Sequence, residues 1–231
     1  MIHFKKILII AAHPDDDVLG CGGYIAKCIQ QNSRVMILFV GEGSTCRFSS
    51  DKINSPEAQQ AIQQRQHCSI QSLTILGVTE YLFGNFPCGR FDQVPLLDMG
   101  KKIEKIIHDF QPDAIFTHHE FDVNRDHQIV FQATLQATRP SAQNNVPFLF
   151  SYEVLSSTEW RFTNSFKPNF FVNIEETVNI KICALEAYAT EIKSYPFPRS
   201  QEGIKVLAQY RGMQVGYLFA EAFQLIRGYI T

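Results

Sequence analysis

Strands and helices alternate through the first 140 residues of this 231-residue chain. That alternation predicts an α/β fold, a Rossmann-like three-layer sandwich with a mostly parallel sheet and right-handed crossovers. Two further observations agree. The expected strands are short, nearly unbroken apolar runs, as strands covered on both faces are. The most polar segments follow directly on those runs, at the carboxyl ends where such sheets bind ligands.

The first strand is read from Phe4–Ala12 (FKKILIIAA), and a helix from Asp17–Gln31 follows, with Gly20, Gly22 and Gly23 near its start. Val35–Val40 (VMILFV) is the second strand, ending in the loop Gly41-Glu42-Gly43-Ser44. Ser55-Pro56-Glu57 reads as a helix start, with a capping serine and proline at the first helical position. That helix runs to about Leu76 and stops at Gly77. Tyr81–Phe83 is a short strand. Leu96, Met99, Ile103, Ile106 and Phe110 recur at helical spacing and predict an amphipathic helix over Pro95–Phe110, broken by Pro112. Asp113–Thr117 is the next strand, and Asn124 caps a helix through about Thr138 that Pro140 closes. Beyond residue 140 the spacing predicts strands at Phe148–Leu155 and Asn169–Ile174. Helices are expected near Glu176–Lys193 and Arg199–Arg211, separated by Pro196 and Pro198.

Composition excludes several classes. Hydrophobic residues make up 45% and charged residues 19%, which is globular rather than disordered. The net charge is -2 and no run of Lys or Arg occurs, so nucleic acid is not an expected partner. No apolar stretch reaches the length of a membrane span, and Ile7–Ala12 lacks the longer core of a secretory signal. The six cysteines form no CxxC pair and read as free thiols in a reducing, cytoplasmic setting.

Two constellations carry the chemistry. Ala12-His13-Pro14-Asp15-Asp16-Asp17 follows the first strand directly. Imidazole and carboxylate are both zinc ligands, and a second carboxylate beside a metal suits a general base. Taken alone, this segment is also a plausible acidic helix start. The second constellation, His118-His119-Glu120-Phe121-Asp122-Val123-Asn124-Arg125-Asp126-His127, sits at the end of another expected strand. Two metal-capable clusters at equivalent ends of one parallel sheet can converge. Their His/Asp chemistry, without cysteine, suits an open catalytic site rather than a closed structural one.

At these residues the chain resembles the LmbE-like (PIG-L) deacetylases. His13-Pro14-Asp15-Asp16-Asp17 looks like the family's AHPDD(E/D) motif. Asp122-Val123-Asn124-Arg125-Asp126-His127 is similar to the DxNxDH variant of its second motif. Ser156-Ser157-Thr158-Glu159-Trp160, Pro198-Arg199-Ser200, Arg211-Gly212, Val215-Gly216 and Ala220-Glu221-Ala222-Phe223 also resemble members of the group. The resemblance implies one deacetylase domain over residues 1–231, with a Rossmann-like core at 1–140 and strands and helices completing the pocket at 141–231. It implies a mononuclear zinc site held by His13, Asp16 and His127, with Asp15 as general base and later acid. Asp126 orients a neighbouring histidine or the ligand His127. The implied substrate is an N-acetylglucosamine-like sugar or conjugate, cleaved to acetate and a free amine. The family often assembles, so a homo-oligomer is open to the chain.

The chain departs from the commoner pattern where many relatives read HPDH, because Asn124 replaces the histidine that stabilises the oxyanion. His118 or His119 then supplies the positive donor. His119 is the catalytic candidate, and Asn124 is a neutral substrate-facing donor. Phe197 stands where several relatives have histidine before Pro-Arg-Ser. Arg47 and Arg65 are candidates for holding phosphate or sugar oxygens. Trp160, the single tryptophan, suits either a sugar platform or packing. Two other function classes compete. A Rossmann-type nucleotide- or cofactor-binding protein requires GxGxxG after the first strand, where HPDDD stands instead. A non-catalytic metal-binding subunit has no need of an intact Asp15.

Overall fold

In the computed structural model, which describes residues 3–140 and 145–230, the strands in chain order are β1 (Lys6–Ala11), β2 (Arg34–Gly41), β3 (Glu80–Phe86), β4 (Ala114–His118), β5 (Phe148–Tyr152), β6 (Phe170–Asn173) and β7 (Ala220–Gly228). The helices are α1 (Asp16–Gln30), α2 (Pro56–Leu76), α3 (Leu96–Phe110), α4 (Arg125–Ala137), α5 (Val178–Glu186) and α6 (Gln201–Met213). The strands form one sheet in the order β3-β2-β1-β4-β5-β7-β6. β1 pairs in parallel with β2 and with β4, and β7 alone runs antiparallel to its neighbours β5 and β6. The strand order therefore reverses at β1. The chain first builds outward to β3, then crosses back to add β4 on the other side. Crevices in open α/β sheets form at this kind of reversal, outside the carboxyl ends of the strands.

Side-chain alternation along β1 assigns the layers. Ile7, Ile9 and Ala11 enter a core shared with α1, α2, α5 and α6. Leu8, Ile10 and Ala12 enter a second core with Met99, Ile103 and Ile107 of α3 and Ile129, Val130 and Ala133 of α4. A strand buried on both faces must be apolar throughout, which is why β1 reads as a continuous run. The first core is rich in aromatic contacts. Phe116 stacks on Phe150 with centroids 4.7 Å apart and meets Phe223 edge-on at 4.9 Å.

Helix ends follow their capping chemistry. Ser55 accepts the Ala58 N–H at the start of α2, and Gly77 takes the left-handed conformation at its end (φ 79°). Asn124 caps α4 by accepting from Asp126 N–H, and Ser200 caps α6 by accepting from Gly203 N–H.

Two expectations change, and β7 is a strand that the sequence does not predict. β7 carries little alternation in sequence, because a charged Glu221 sits on its buried side. That carboxylate accepts from Gly23 N and Tyr24 N, and it pairs with Lys181 Nζ at 2.6 Å. The helix expected to reach Lys193 stops at Glu186, because the chain turns there to bury Tyr188 and bring Glu191 to two arginines. The strand expected to reach Leu155 ends at Tyr152, where the chain folds back so that Ser157 and Thr158 bind Asp122. No helix among the described residues is long and apolar enough to cross a membrane.

Gly20 on α1 lies against the ring of Tyr152, and a Cβ there would stand 2.2 Å from Cδ2 of that ring. Tyr152 cannot yield easily, since it is fully buried and its hydroxyl donates to the Ile10 carbonyl at 3.0 Å. Gly20→Ala is therefore expected to destabilise the protein by about 1–3 kcal/mol, the usual cost of overpacking. Urea unfolding checks this, and an unchanged midpoint would contradict the packing described.

Candidate active site

The turn after β1 and the loop after β4 meet at the switch point. β1 delivers Ala12 and His13, and Asp15 stands just before α1 in the left-handed region (φ 112°, ψ -26°). Asp16 opens α1. One of its oxygens, Oδ2, accepts from the His13 N–H at 2.8 Å. The same oxygen lies 3.4 Å from His13 Nδ1 and 3.3 Å from His127 Nε2. His127, in the first turn of α4, thus faces residues more than a hundred positions away, and all three side chains are buried.

The opposite ring nitrogens are also held by carboxylates. Asp126 Oδ2 lies 2.9 Å from His13 Nε2 and also accepts from Gly89 N at 2.6 Å, while its Oδ1 accepts from Phe91 N at 3.2 Å. Asp122 Oδ2 lies 3.2 Å from His127 Nδ1 and accepts from the Thr158 hydroxyl, while its Oδ1 accepts from the Ser157 hydroxyl. Carboxylates behind imidazoles in this way fix the ring orientation and increase ligand basicity.

The electrostatics follow the geometry. Burial alone disfavours charge on His13, but its hydrogen bonds to Asp126 and Asp16 raise it to about 9. Burial likewise opposes charge on His127, and Asp16 and Asp122 raise it to about 10. Burial works against the Asp16 carboxylate too, yet His127, together with the hydrogen bond from His13, holds it well below the usual carboxylate range. Asp15 differs. Burial raises it, against the pull of Arg199 and Arg65. Burial raises Asp17 to about 7, and neither of its oxygens makes an aligned hydrogen bond.

These residues fit a metal ion. A tetrahedral zinc with ligand bonds of about 2.0–2.2 Å separates its ligand atoms by about 3.3–3.6 Å. The 3.3 and 3.4 Å separations around Asp16 Oδ2 match that spacing, and ligand atoms of His13, Asp16 and His127 all lie within 4.8 Å of one another. The buried Nε2 of His127, the nitrogen that faces Asp16, makes no aligned hydrogen bond, as suits a nitrogen turned toward an ion site. A second group, His13, Cys88 and Asp126, also clusters within 4.8 Å. There the Asp126 oxygens already take hydrogen bonds from His13, Gly89 and Phe91. The first group is therefore the better site.

Among the sequence candidates, His13, Asp15, Asp16, Asp126 and His127 are brought together. His119 is not. Its neighbour His118 faces the cluster, stacked on His127 at 3.9 Å with Nε2 3.5 Å from Asp16 Oδ2. Adjacent residues of an extended chain point to opposite sides, and His119 packs edge-on against Phe166 at 5.1 Å and Phe121 at 5.8 Å. His118 itself accepts the Ala12 N–H at Nε2, and burial holds its pKa well below normal, so it is neutral. The Asn124 oxygen is committed to capping α4. Arg65 lies 3.7 Å from Asp15 and 3.1 Å from Glu191, and Arg47 pairs with Glu191 at 2.8 Å. Sequence reasoning assigned no role to Asp122, Glu191 or Arg199. Asp122 lay within the second motif and Arg199 within Pro198-Arg199-Ser200, but Glu191 had no local signal.

A mostly parallel sheet with a buried His/Asp cluster at its switch point defines an α/β protein with groups that could hold a metal ion. The chain belongs to the PIG-L family, described as GlcNAc-PI de-N-acetylase, whose model matches residues 8–138. It is 30% identical over 190 residues to the uncharacterized deacetylase YaiS of Escherichia coli K12, covering 80% of this chain and 90% of that protein. The N,N'-diacetylchitobiose deacetylase from Pyrococcus horikoshii shares the fold with a TM-score of 0.77 at 21% identity, over 99% of this chain and 87% of that one. So does GalB, the 4-carboxy-2-hydroxymuconate hydratase from Pseudomonas putida KT2440, with a TM-score of 0.77 at 18% identity over 98% of both chains.

Asp126→Ala removes the carboxylate behind His13 and is expected to weaken metal affinity by about 10–100-fold, the usual effect of losing such a partner. Competition against a chromophoric chelator measures it. Unchanged affinity would remove Asp126 from the metal site.

Proposed function

We propose that this chain is a zinc-dependent hydrolase that removes the N-acetyl group from an N-acetylglucosamine-type sugar or sugar conjugate, with Asp15 as general base. The observation that carries the reading is a three-ligand His/Asp cluster with metal-ligand spacing and a spare, buried carboxylate one residue from Asp16. Family membership and the deacetylase names of its relatives support the reaction class. Imidazole with carboxylate favours zinc among the common ions.

His13, Asp16 and His127 would hold the ion, which when bound supplies Lewis acidity toward the attacking water and the acetyl carbonyl. The chain supplies the rest. Asp126 and Asp122 keep the two rings aimed. Asp15 takes a proton from the attacking water and returns it to the departing amine. Its raised pKa makes it a stronger base than an exposed carboxylate. Arg65, beside Asp15 and Glu191, and Arg47, paired with Glu191, would meet oxygens of the sugar or its substituent. This reading does not assign the positive donor to His119, whose ring packs edge-on against Phe121 and Phe166.

Acetate release from a panel of N-acetylated sugars, with and without a chelator, tests the reaction. Activity should vanish on metal removal and return with zinc. Asp15→Asn should lose about 10²–10⁴-fold in turnover, the range for a general base, while binding metal normally. Wild-type turnover in that variant would sink the base assignment, and full activity without metal would sink the metal.

A further inference from the structure

Asp15 is held by a residue that lies 184 positions away in sequence. Arg199 Nη1 donates to Asp15 Oδ2 at 2.9 Å. The same guanidinium is fixed from behind, with Nε donating to the Ser156 hydroxyl at 2.5 Å and to the Leu155 carbonyl at 3.3 Å. Arg65 Nη1 approaches the same oxygen of Asp15, at 3.7 Å, but is shared with Glu191 at 3.1 Å. Both cations therefore meet Oδ2, and neither donates a hydrogen bond to Oδ1. The backbone of Asp15 is in the left-handed region that an L residue adopts only under constraint. Neither Arg199 nor Arg65 gives up its proton in a protein, so neither competes with a carboxylate for one.

We propose that Arg199 is a positioning residue for Asp15: by anchoring Oδ2 it holds the carboxylate in its constrained place and presents Oδ1 as the oxygen that receives the proton. This rests on the reading of Asp15 as general base. A planar fork suits the task because one guanidinium reaches Ser156, Leu155 and Asp15 at once, which an ammonium cannot do with fixed geometry. Ser156 is itself tied into the site, since the next two residues, Ser157 and Thr158, grip Asp122 behind His127. The loop before α6 is thereby joined to both the base and a ligand-orienting carboxylate. Ser200 caps α6 immediately after Arg199, which fixes where that side chain leaves the backbone.

A double-mutant cycle separates positioning from packing or substrate binding. Arg199→Ala should lower kcat by about 100-fold, the lower end of what a general base contributes, with KM and metal content nearly unchanged. Arg199→Lys should recover part of that loss. In an Asp15→Asn background, Arg199→Ala should have no further effect on kcat, because residues acting through one another are not additive. The idea is overturned if Arg199→Ala keeps wild-type kcat, if its whole effect is on KM, or if it costs the same factor with and without Asp15. A crystal structure of Arg199→Ala gives a readout independent of turnover. The Asp15 carboxylate should rotate or its φ should relax, and an unmoved Asp15 would also overturn the proposal. The two readings fail differently. An Asp15→Asn variant with full activity defeats the deacetylase mechanism. An inactive Asp15→Asn variant beside a fully active Arg199→Ala variant defeats only the role of Arg199.

Discussion

The site is organised around one buried carboxylate oxygen. Asp16 Oδ2 takes the His13 N–H and has the rings of His13, His127 and His118 within 3.5 Å. A carboxylate stripped of water is costly unless it is paired. The imidazoles of His13 and His127 and the amide supply that pairing, and they are drawn from the turn after β1 and the start of α4. The two sides of the switch point are thus locked together by the same atom that a metal would bind. Removing Asp16 would leave two ring nitrogens and a strand terminus without their shared partner.

Around this centre the other carboxylates divide the work. Asp126 and Asp122 each stand behind one histidine, and each is fixed in turn by backbone N–H groups or hydroxyls. Asp15 is set apart because its partners are arginines rather than histidines. Neighbouring acids therefore have different electrostatic fates. Asp16 is pulled far down by imidazoles, whereas burial wins at Asp15 even against two guanidinium groups. Groups whose environments push their pKa values apart in this way are suited to different tasks.

The fold alone does not name the reaction. A deacetylase and a hydratase share it with this chain at equal TM-scores. What distinguishes a function on such a scaffold is the set of side chains at the strand ends. Here these are the family-matched motifs on β1 and β4, within the segment covered by the PIG-L model. The C-terminal segment adds β5, β7 and β6 to the same sheet and supplies Ser157, Thr158, Glu191 and Arg199 around those motifs.

Much of this was readable in the sequence because the physics involved is local. The apolar runs of β1, β2 and β4, the Ser55-Pro56 start and Gly77 stop of α2, and the spacing of α3 follow from burial and capping over a few residues. So did the clustering of His13, Asp15 and Asp16 with Asp126 and His127, since parallel strands place their following loops on one edge. Other features depended on contacts that no short window contains. β7 hid behind a buried Glu221 that is neutralised by Lys181, forty residues away. The helix carrying Glu186 ended early because Tyr188 and Glu191 had partners on α2. Strand alternation sent His118 to the site and His119 away from it, a choice that depends on where β4 ends. Residue type and spacing along the chain are enough to pick out the groups with the chemistry of a metal site. Which carboxylate stands behind which histidine, and the reach of Arg199 to Asp15, emerge in the folded molecule alone, because long-range charge pairing is set by how the layers pack rather than by spacing along the chain.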